Sequence, residues 1–287
     1  MRILVTIAHY FSAEANSQHA STNERKRDAR QRAVEELICA YRGQFGVSTT
    51  LDVGTKSFQP GVGSDDDIDI IAVTTSEKHL LTSEFCNRYG VKVAKFDLEN
   101  PRMLGFSAQK IMAREANRYD MFVFTEDDLR INDPTYFSKI VWFNQTYGPK
   151  RVLFPNRIEW SRKAPTLKTY IDGDLNPAAA DKLIAHVEDE EALYGAPLGR
   201  QTVFRRARNP HAGYFALTRD QLNCWMRQPH WMDRDVSFVS PLESAATLGV
   251  AKTFSIYKAF GRSAGFLEIE HMDSGFSNLK LPVIPPL

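Results

Sequence analysis

Short apolar runs alternate with helix-like segments through the first half of the chain, and no other feature constrains the fold as strongly. Apolar runs of about four to eight residues, rich in branched and aromatic side chains, are typical of strands buried on both faces. The runs are residues 2–8, 68–73, 91–96 and 121–124, with a weaker one at 47–52 and helical patterns at 23–41 and 101–117. This alternation predicts an α/β fold, with a mostly parallel central sheet and helices on both faces.

Composition narrows the class of protein. The 287 residues carry a formal net charge of +1, with 43% hydrophobic and 25% charged residues, which is ordinary for a globular protein and gives no argument for a nucleic-acid partner. Three widely separated cysteines, Cys39, Cys86 and Cys224, fit neither a zinc ribbon nor a disulfide framework. No run approaches the roughly 18 apolar residues of a membrane span. We therefore expect a cytoplasmic protein with at most peripheral membrane contact.

The apolar run 121–124 leads into three consecutive acids, Glu126, Asp127 and Asp128. Three like charges repel one another at the end of a buried strand, unless solvent or a cation is close. Carboxylate oxygens suit Mg²⁺ or Mn²⁺, and open α/β sheets bind their ligands at the C-terminal ends of strands. The cluster therefore predicts a metal–diphosphate site, with an acidic turn that caps the strand as the alternative.

Residues that follow the first strand are candidates for the same crevice. Tyr10 could stack on a nucleotide base and His9 could reach a phosphate, or the strand is simply capped and its aromatic side chains pack inward. Arg205, close to two further arginines, suits bidentate phosphate recognition, or else forms a solvated basic turn. The chain has neither GxGxxG after its first strand nor GxxxxGK[ST], which disfavours the usual dinucleotide fold and P-loop enzymes.

The second half is less regular. Residues 161–199 mix Lys-, Asp- and Glu-rich pieces, and we interpret them as an insertion or flexible excursion. Thr218 fits the N-cap of a helix, and Pro241 begins another helix. Glu243 lies in the first turn of that helix, where an acid also complements the helix dipole. A lone histidine, His271, follows near the end of the chain.

The order of these motifs resembles the nucleotide-sugar-dependent glycosyltransferases of GT-A fold. Their DxD motif is often written EDD, and residues 126–128 after an aromatic-rich strand are similar to that form. Residues 211–218 resemble the small-residue segment on the acceptor side of these enzymes. Glu243 lies where inverting members carry a catalytic acid, and His271 is placed like the late histidine that completes their metal site.

The resemblance implies a role for each acid of the cluster. A Mn²⁺ or Mg²⁺ ion would bridge the diphosphate of the donor, with Asp128 as a direct ligand and His271 as a further one. Glu126 would face the ribose, and Asp127 would orient the cluster. In the same reading Arg205, Arg206 or Lys110 would hold phosphates.

Catalysis in this reading rests on an acid near the acceptor. Glu243 would act as the general base that takes the proton of the acceptor hydroxyl, and Asp233 and Asp235 are substitutes for the same role. The implied organisation is a single GT-A-like, Rossmann-like α/β domain over 1–287, with a mixed, mostly parallel central sheet and helices on both faces. Its nucleotide-sugar-binding half is 1–130 and its acceptor-binding half is 131–287.

The implied activity is metal-dependent transfer of a sugar from a nucleoside-diphosphate sugar to a hydroxyl of a glycan or glycolipid, with inversion at the anomeric carbon. A UDP-sugar is the favoured donor and a GDP-sugar the alternative, and a bacterial polysaccharide acceptor follows from class analogy alone. Two other functions stay open. A sugar nucleotidyltransferase usually carries a Gly-rich basic loop, and none follows Ala8. A non-catalytic nucleotide-sugar-binding protein would lack the acids at the strand end.

Overall fold

The computed structural model of the protein describes residues 1–13, 21–61 and 63–283. The strands in these ranges are β1 (Arg2–Ala8), β2 (Thr49–Asp52), β3 (Ser57–Pro60), β4 (Asp67–Thr75), β5 (Val91–Phe96), β6 (Met121–Glu126), β7 (Leu129–Arg130), β8 (Arg151–Leu153), β9 (Asn156–Trp160), β10 (Lys168–Tyr170), β11 (Ala192–Gly195), β12 (Thr202–Arg206), β13 (Tyr214–Thr218), β14 (Ser255–Ala259) and β15 (Glu268–His271). The α-helices are α1 (Arg27–Phe45), α2 (Ser83–Tyr89), α3 (Leu104–Arg114), α4 (Tyr136–Tyr147), α5 (Pro177–Ile184), α6 (Arg219–Met226) and α7 (Pro241–Ala251).

Five strands form the central sheet, in the order β13-β6-β1-β4-β5. β6, β1, β4 and β5 run parallel, and β13 joins β6 antiparallel at one edge. β1 and β6 are buried along nearly their whole length, so both faces of the sheet must be covered. Helix α3 packs on β1, β4 and β6, whereas α1 packs on β4 and α2 on β5. The predicted mixed, mostly parallel sheet with helices on both faces is confirmed.

The three acids lie at the C-terminal edge of this sheet. Ala8 of β1 pairs with Glu126 of β6 in the parallel register, so the two strands end level with each other. β13 starts at the same edge because it runs antiparallel, and Gly213 immediately precedes it. Gly213 has a φ of +59°, and a Cβ there would lie 2.5 Å from Glu126 Oε2. A residue other than glycine would therefore displace the Glu126 carboxylate.

A second sheet, in the order β10-β9-β15-β7, returns the end of the chain to the acids. β7 begins at Leu129, directly after Asp128, and β15 pairs antiparallel with it so that His271 lies opposite Leu129. The backbone N–H of Met272 donates to the carbonyl of Asp128 at 2.9 Å. Strand pairing thus places His271 beside Asp128, although the two residues are far apart in the sequence.

The prediction that 161–199 is an insertion or flexible excursion is wrong, because this segment is part of the fold. It contains β10, α5 and β11. β10 pairs with β9, and β11 pairs with β12 of a third sheet, β11-β12-β14-β8. Ala180 and Leu193 are buried, but buried residues this sparse leave too little apolar periodicity to predict the elements from the sequence.

The weak strand predicted at 47–52 exists as β2, but it does not join the central sheet. It pairs with β3 in a two-stranded hairpin, and most of its side chains are exposed. A strand that buries neither face has no reason to carry the strong alternation of the central strands. This difference explains why its pattern in the sequence is weak.

Two helices begin where the sequence predicts. Thr218 caps α6 through a reciprocal capping box with Gln221, and Pro241 is the first residue of α7. Because α7 packs on α3, its first turn lies close to the C-terminal edge of the central sheet. None of the described helices is both long enough and apolar enough to cross a membrane.

Substitution of Gly105 tests how closely α3 packs on α7. A Cβ on Gly105 would lie 2.6 Å from the Cβ of Ala245, whereas a Cβ on Gly43 in α1 would meet nothing within 4 Å. Helix propensity alone favours alanine at both positions. We expect Gly43→Ala to stabilise the protein by about 0.4–1 kcal/mol and Gly105→Ala to destabilise it by about 1–3 kcal/mol, measured by urea unfolding. Equal effects of the two changes would contradict the close helix contact.

Candidate functional site

A cavity of about 360 Å³ opens at the C-terminal edge of the central sheet. Three of the predicted site residues, Tyr10, Asp127 and Glu243, line it together with Arg30. The remaining lining residues are Ala8, Ser21, Thr22, Asn100, Pro101, Arg102, Leu104, Ser240 and Leu242. A cavity of this size at the strand ends of an α/β sheet suits a nucleotide-sized ligand.

Asp127 is held from two sides. Its Oδ2 accepts a hydrogen bond from His9 Nδ1 at 2.6 Å, and its Oδ1 accepts one from a terminal nitrogen of Arg30. The backbone N–H of Leu80 donates to His9 Nε2 at 3.0 Å, which leaves Nδ1 as the protonated ring nitrogen. Burial alone would raise the pKa of Asp127, but Arg30 and His9 hold it at about 2. Asp127 is therefore a fixed anion at neutral pH.

Arg30 bridges the two aspartates. Its second terminal nitrogen donates to Asp128 Oδ2 at 2.7 Å. Burial opposes the charge of the guanidinium, but Asp127 and Asp128 raise the pKa of Arg30 above its usual value. The guanidinium therefore places a permanent positive charge at the position where the sequence predicts a cation.

Asp128 also faces His271. Nε2 of His271 lies 3.7 Å from Asp128 Oδ2, and its Nδ1 lies 2.8 Å from Glu159 Oε1. Glu159 is fully buried, and its other oxygen accepts the backbone N–H of Ser277 at 2.7 Å. A carboxylate on Nδ1 favours the tautomer with its lone pair on Nε2, as in many metal-binding histidines.

Asp128 and His271 are the residues that could hold a divalent cation. Asp128 Oδ1 is buried without a hydrogen-bond partner, and His271 Nε2 lies 3.7 Å from the other oxygen of the same carboxylate. Within 1–13, 21–61 and 63–283, no three His, Cys, Asp or Glu side chains are arranged to hold a metal ion alone. A cation bound here would therefore take further ligands from water or from a diphosphate.

Glu126 and Glu243 share one electrostatic environment. Burial and the neighbouring Asp128 raise the pKa of Glu126 to about 8. Glu243 is close enough to raise it further, and Arg157 opposes the effect. The backbone N–H of Glu126 donates to the carbonyl of Gly213 at 2.9 Å, which secures this acid at the strand end.

Three residues that were predicted to contact phosphates do not line the cavity. His9 is fully buried with both ring nitrogens engaged, so it holds Asp127 and does not reach a phosphate. Lys110 lies within α3 and is not among the lining residues. Arg205 pairs with Asp174 at 2.5 Å and lines a different cavity. The placement of these side chains disagrees with the prediction that they contact phosphates here.

Arg30 and Glu159 complete the site, and neither is among the residues predicted from the sequence. Arg30 precedes the buried Ala33 and Val34 of α1 by three and four residues, so it lies on the apolar stripe of that helix. A charged residue on a buried stripe is a signal that could have identified it. Glu159 has no comparable signal, because only the pairing of β9 with β15 brings it to His271.

Comparisons with known proteins add little to this geometry. No protein-family model and no curated protein matches the sequence. The solved structures that match include CMP:2-keto-3-deoxy-manno-octonic acid synthetase complexed with CTP. The two chains are 12% identical, with a TM-score of 0.35, over 94% of this chain and 88% of that one. Similarity at this level carries no argument about function.

Removing the charge of Arg30 tests its bridging role. Arg30→Gln leaves Asp127 and Asp128 adjacent without their shared cation, and we expect the free energy of unfolding to fall by about 3 kcal/mol. Arg32 is exposed on the same helix, and Arg32→Gln should stay within about 0.5 kcal/mol of the wild type. Urea unfolding of both variants measures the difference. Similar stabilities would show that the bridge contributes nothing.

Proposed function

We propose that the protein is a glycosyltransferase that moves a sugar from a nucleoside-diphosphate sugar to a hydroxyl acceptor. The observation that carries the proposal is that Asp127 and Glu243 line one cavity, with Asp128 and His271 joined to Asp127 through Arg30. One side of the site then offers ligands for a cation and a diphosphate, and the other side offers a base. An acidic turn that only caps a strand would have no reason to include the buried pair of Asp127 and His9.

The nucleotide of the donor would occupy the cavity. Tyr10 offers an aromatic face to the base, and Arg30 offers positive charge to the phosphate oxygens. Asp128 and His271 would hold Mn²⁺ or Mg²⁺, and a bound cation supplies Lewis-acid stabilisation of the charge on the leaving diphosphate. Glu126 would face the ribose. A UDP-sugar is the donor we favour, with a GDP-sugar as the alternative.

Glu243 is the base in this proposal. Its carboxylate would take the proton of the acceptor hydroxyl as the acceptor oxygen bonds to the anomeric carbon and the bond to the diphosphate oxygen breaks. Displacement from the opposite face gives inversion. Asp233 and Asp235 are less suited, because both pair with Lys252, at 2.7 and 2.8 Å. Lys252 holds the pKa of Asp235 at about 2, which makes this carboxylate a weak base.

A sugar nucleotidyltransferase is the second candidate. The synthetase named above belongs to that class, although its TM-score of 0.35 carries no argument by itself. The two reactions differ in their products. A glycosyltransferase releases a nucleoside diphosphate from its sugar donor. A nucleotidyltransferase instead joins the nucleoside monophosphate part of a nucleoside triphosphate to a sugar and releases pyrophosphate. Assays of both products on one preparation therefore separate the candidates.

Binding of nucleotide sugars tests the donor site. We expect a UDP-sugar or GDP-sugar to raise the melting temperature by on the order of 5 °C at about 100 times its Kd, and only with Mn²⁺ present. Asp128→Ala should abolish this shift because the cation loses its ligand. Asp65→Ala is the control, since Asp65 is exposed beside the N-terminal ends of β1 and β4. An equal shift without Mn²⁺, or in Asp128→Ala, would rule out the cation site.

Transfer assays test the base. We expect Glu243→Gln to lower UDP release from UDP-sugars, with water or an added saccharide as acceptor, by about 10²- to 10⁴-fold while the donor-induced thermal shift is kept. Glu84 also lies in the first turn of a helix but is exposed, so Glu84→Gln should retain the full rate. A wild-type rate in Glu243→Gln would reject Glu243 as the base.

A further inference from the structure

A second cavity, of about 460 Å³, lies in the second half of the chain. Strands β10, β12 and β14 contribute to its walls, together with the loop that follows β10. Arg205, Arg208 and Lys258 line it with positive charge, and Asp172 and Asp174 with negative charge. The proposed transfer reaction uses none of these side chains.

Lys258 is buried and shares its acidic partner. Its Nζ lies 3.2 Å from Asp172 Oδ2 and donates to the carbonyl of His211 at 2.7 Å. Arg157 already donates to both oxygens of Asp172, at 2.6 to 3.1 Å. Burial would raise the pKa of Asp172, but Lys258 and Arg157 hold it at about 2. Burial lowers the pKa of Lys258 below its usual value, as expected where one carboxylate serves two buried basic groups.

Arg205 adds a second cation on the neighbouring strand. It lies directly opposite Lys258 in the pairing of β12 with β14, where two like charges are unfavourable. Its partner Asp174 is 45% exposed, so this pair contributes little and an incoming anion can replace it. The guanidinium also stacks on Phe260, 3.9 Å from the ring centroid, which fixes its orientation.

Two aromatic side chains border the same space. Phe260 is 46% exposed and Tyr170 is 42% exposed, and both line the cavity. An exposed aromatic face beside polar groups suits a ring that is apolar on its C–H face and polar at its edge, as a pyranose is. The amide of Asn209 donates to the carbonyl of Gly173 at 3.0 Å and so holds the loop after β10 in place.

We infer that this cavity binds an anionic saccharide, with its carboxylate or phosphate group between Lys258 and Arg205 and its ring against Phe260 or Tyr170. Arg157 connects the two regions, because it donates to Asp172 of this cavity and acts electrostatically on Glu126 of the first site. The anionic saccharide is the acceptor only if the proposed glycosyl transfer holds. Its binding depends on the cavity alone.

Titration calorimetry of the full chain, without donor or cation, tests the cavity. The probes are methyl β-D-glucuronide, glucose 6-phosphate and neutral methyl β-D-glucoside. We expect at least one anionic probe to bind ten or more times more tightly than the neutral glucoside, with an affinity that falls as salt rises. The two anionic probes distinguish a carboxylate from a phosphate ligand. Equal affinity for the neutral probe, or no binding of either anionic probe, would overturn the inference.

Arginine variants show whether the anionic probe binds in this cavity. Arg205→Gln should weaken the anionic probe about ten-fold or more, and Arg205→Lys should recover part of that loss because it keeps the charge. Arg200 is exposed just before β12, so Arg200→Gln removes the same charge outside the cavity and should bind as the wild type does. Equal losses in Arg200→Gln and Arg205→Gln would overturn the assignment. A chain that binds the probe but transfers no sugar would disprove the proposed function alone.

Discussion

The bridge from Arg30 to Asp127 and Asp128 is the interaction on which the rest of the site depends. Two unit charges about 4 Å apart interact by roughly 4 kcal/mol at an effective dielectric constant of about 20, so adjacent carboxylates at the end of a buried strand need a cation beside them. Arg30 supplies that cation from α1, and His9 secures Asp127 from the end of β1. The acids are therefore oriented before any ligand arrives, which is the preorganisation that a charged substrate requires.

The same contacts give the two aspartates different roles. Both oxygens of Asp127 are engaged by His9 and Arg30, so this carboxylate belongs to the internal network. Asp128 keeps one buried oxygen without a partner and has His271 at 3.7 Å. Asp128 is thus the carboxylate to which the proposed function assigns the cation. An arginine and a cation at one cluster would together offset the charge of a bound diphosphate.

Local sequence signals were enough for the parts of the fold that are decided locally. The apolar runs at 2–8 and 121–124 predicted the two strands at the centre of the sheet, because a strand covered on both faces must be apolar throughout. Thr218 and Pro241 predicted two helix starts, because caps act within one turn. The segment 161–199 was not recognised as part of the fold, because its elements pack through few apolar residues and through pairing with distant strands.

By itself, the sequence determined the α/β class and the position of three acids at the end of a buried strand, because the period of apolar residues and the order of strand and acid are properties of a short segment. Only the tertiary structure decided that Arg30 and Glu159 belong to this cluster, and how His271 reaches it. Helix packing brings Arg30 to the acids, and the pairing of β15 with β7 and β9 brings His271 and Glu159. It also placed Arg205 opposite Lys258 in a second cavity. Contacts between residues so far apart along the chain depend on strand register, which no single segment encodes.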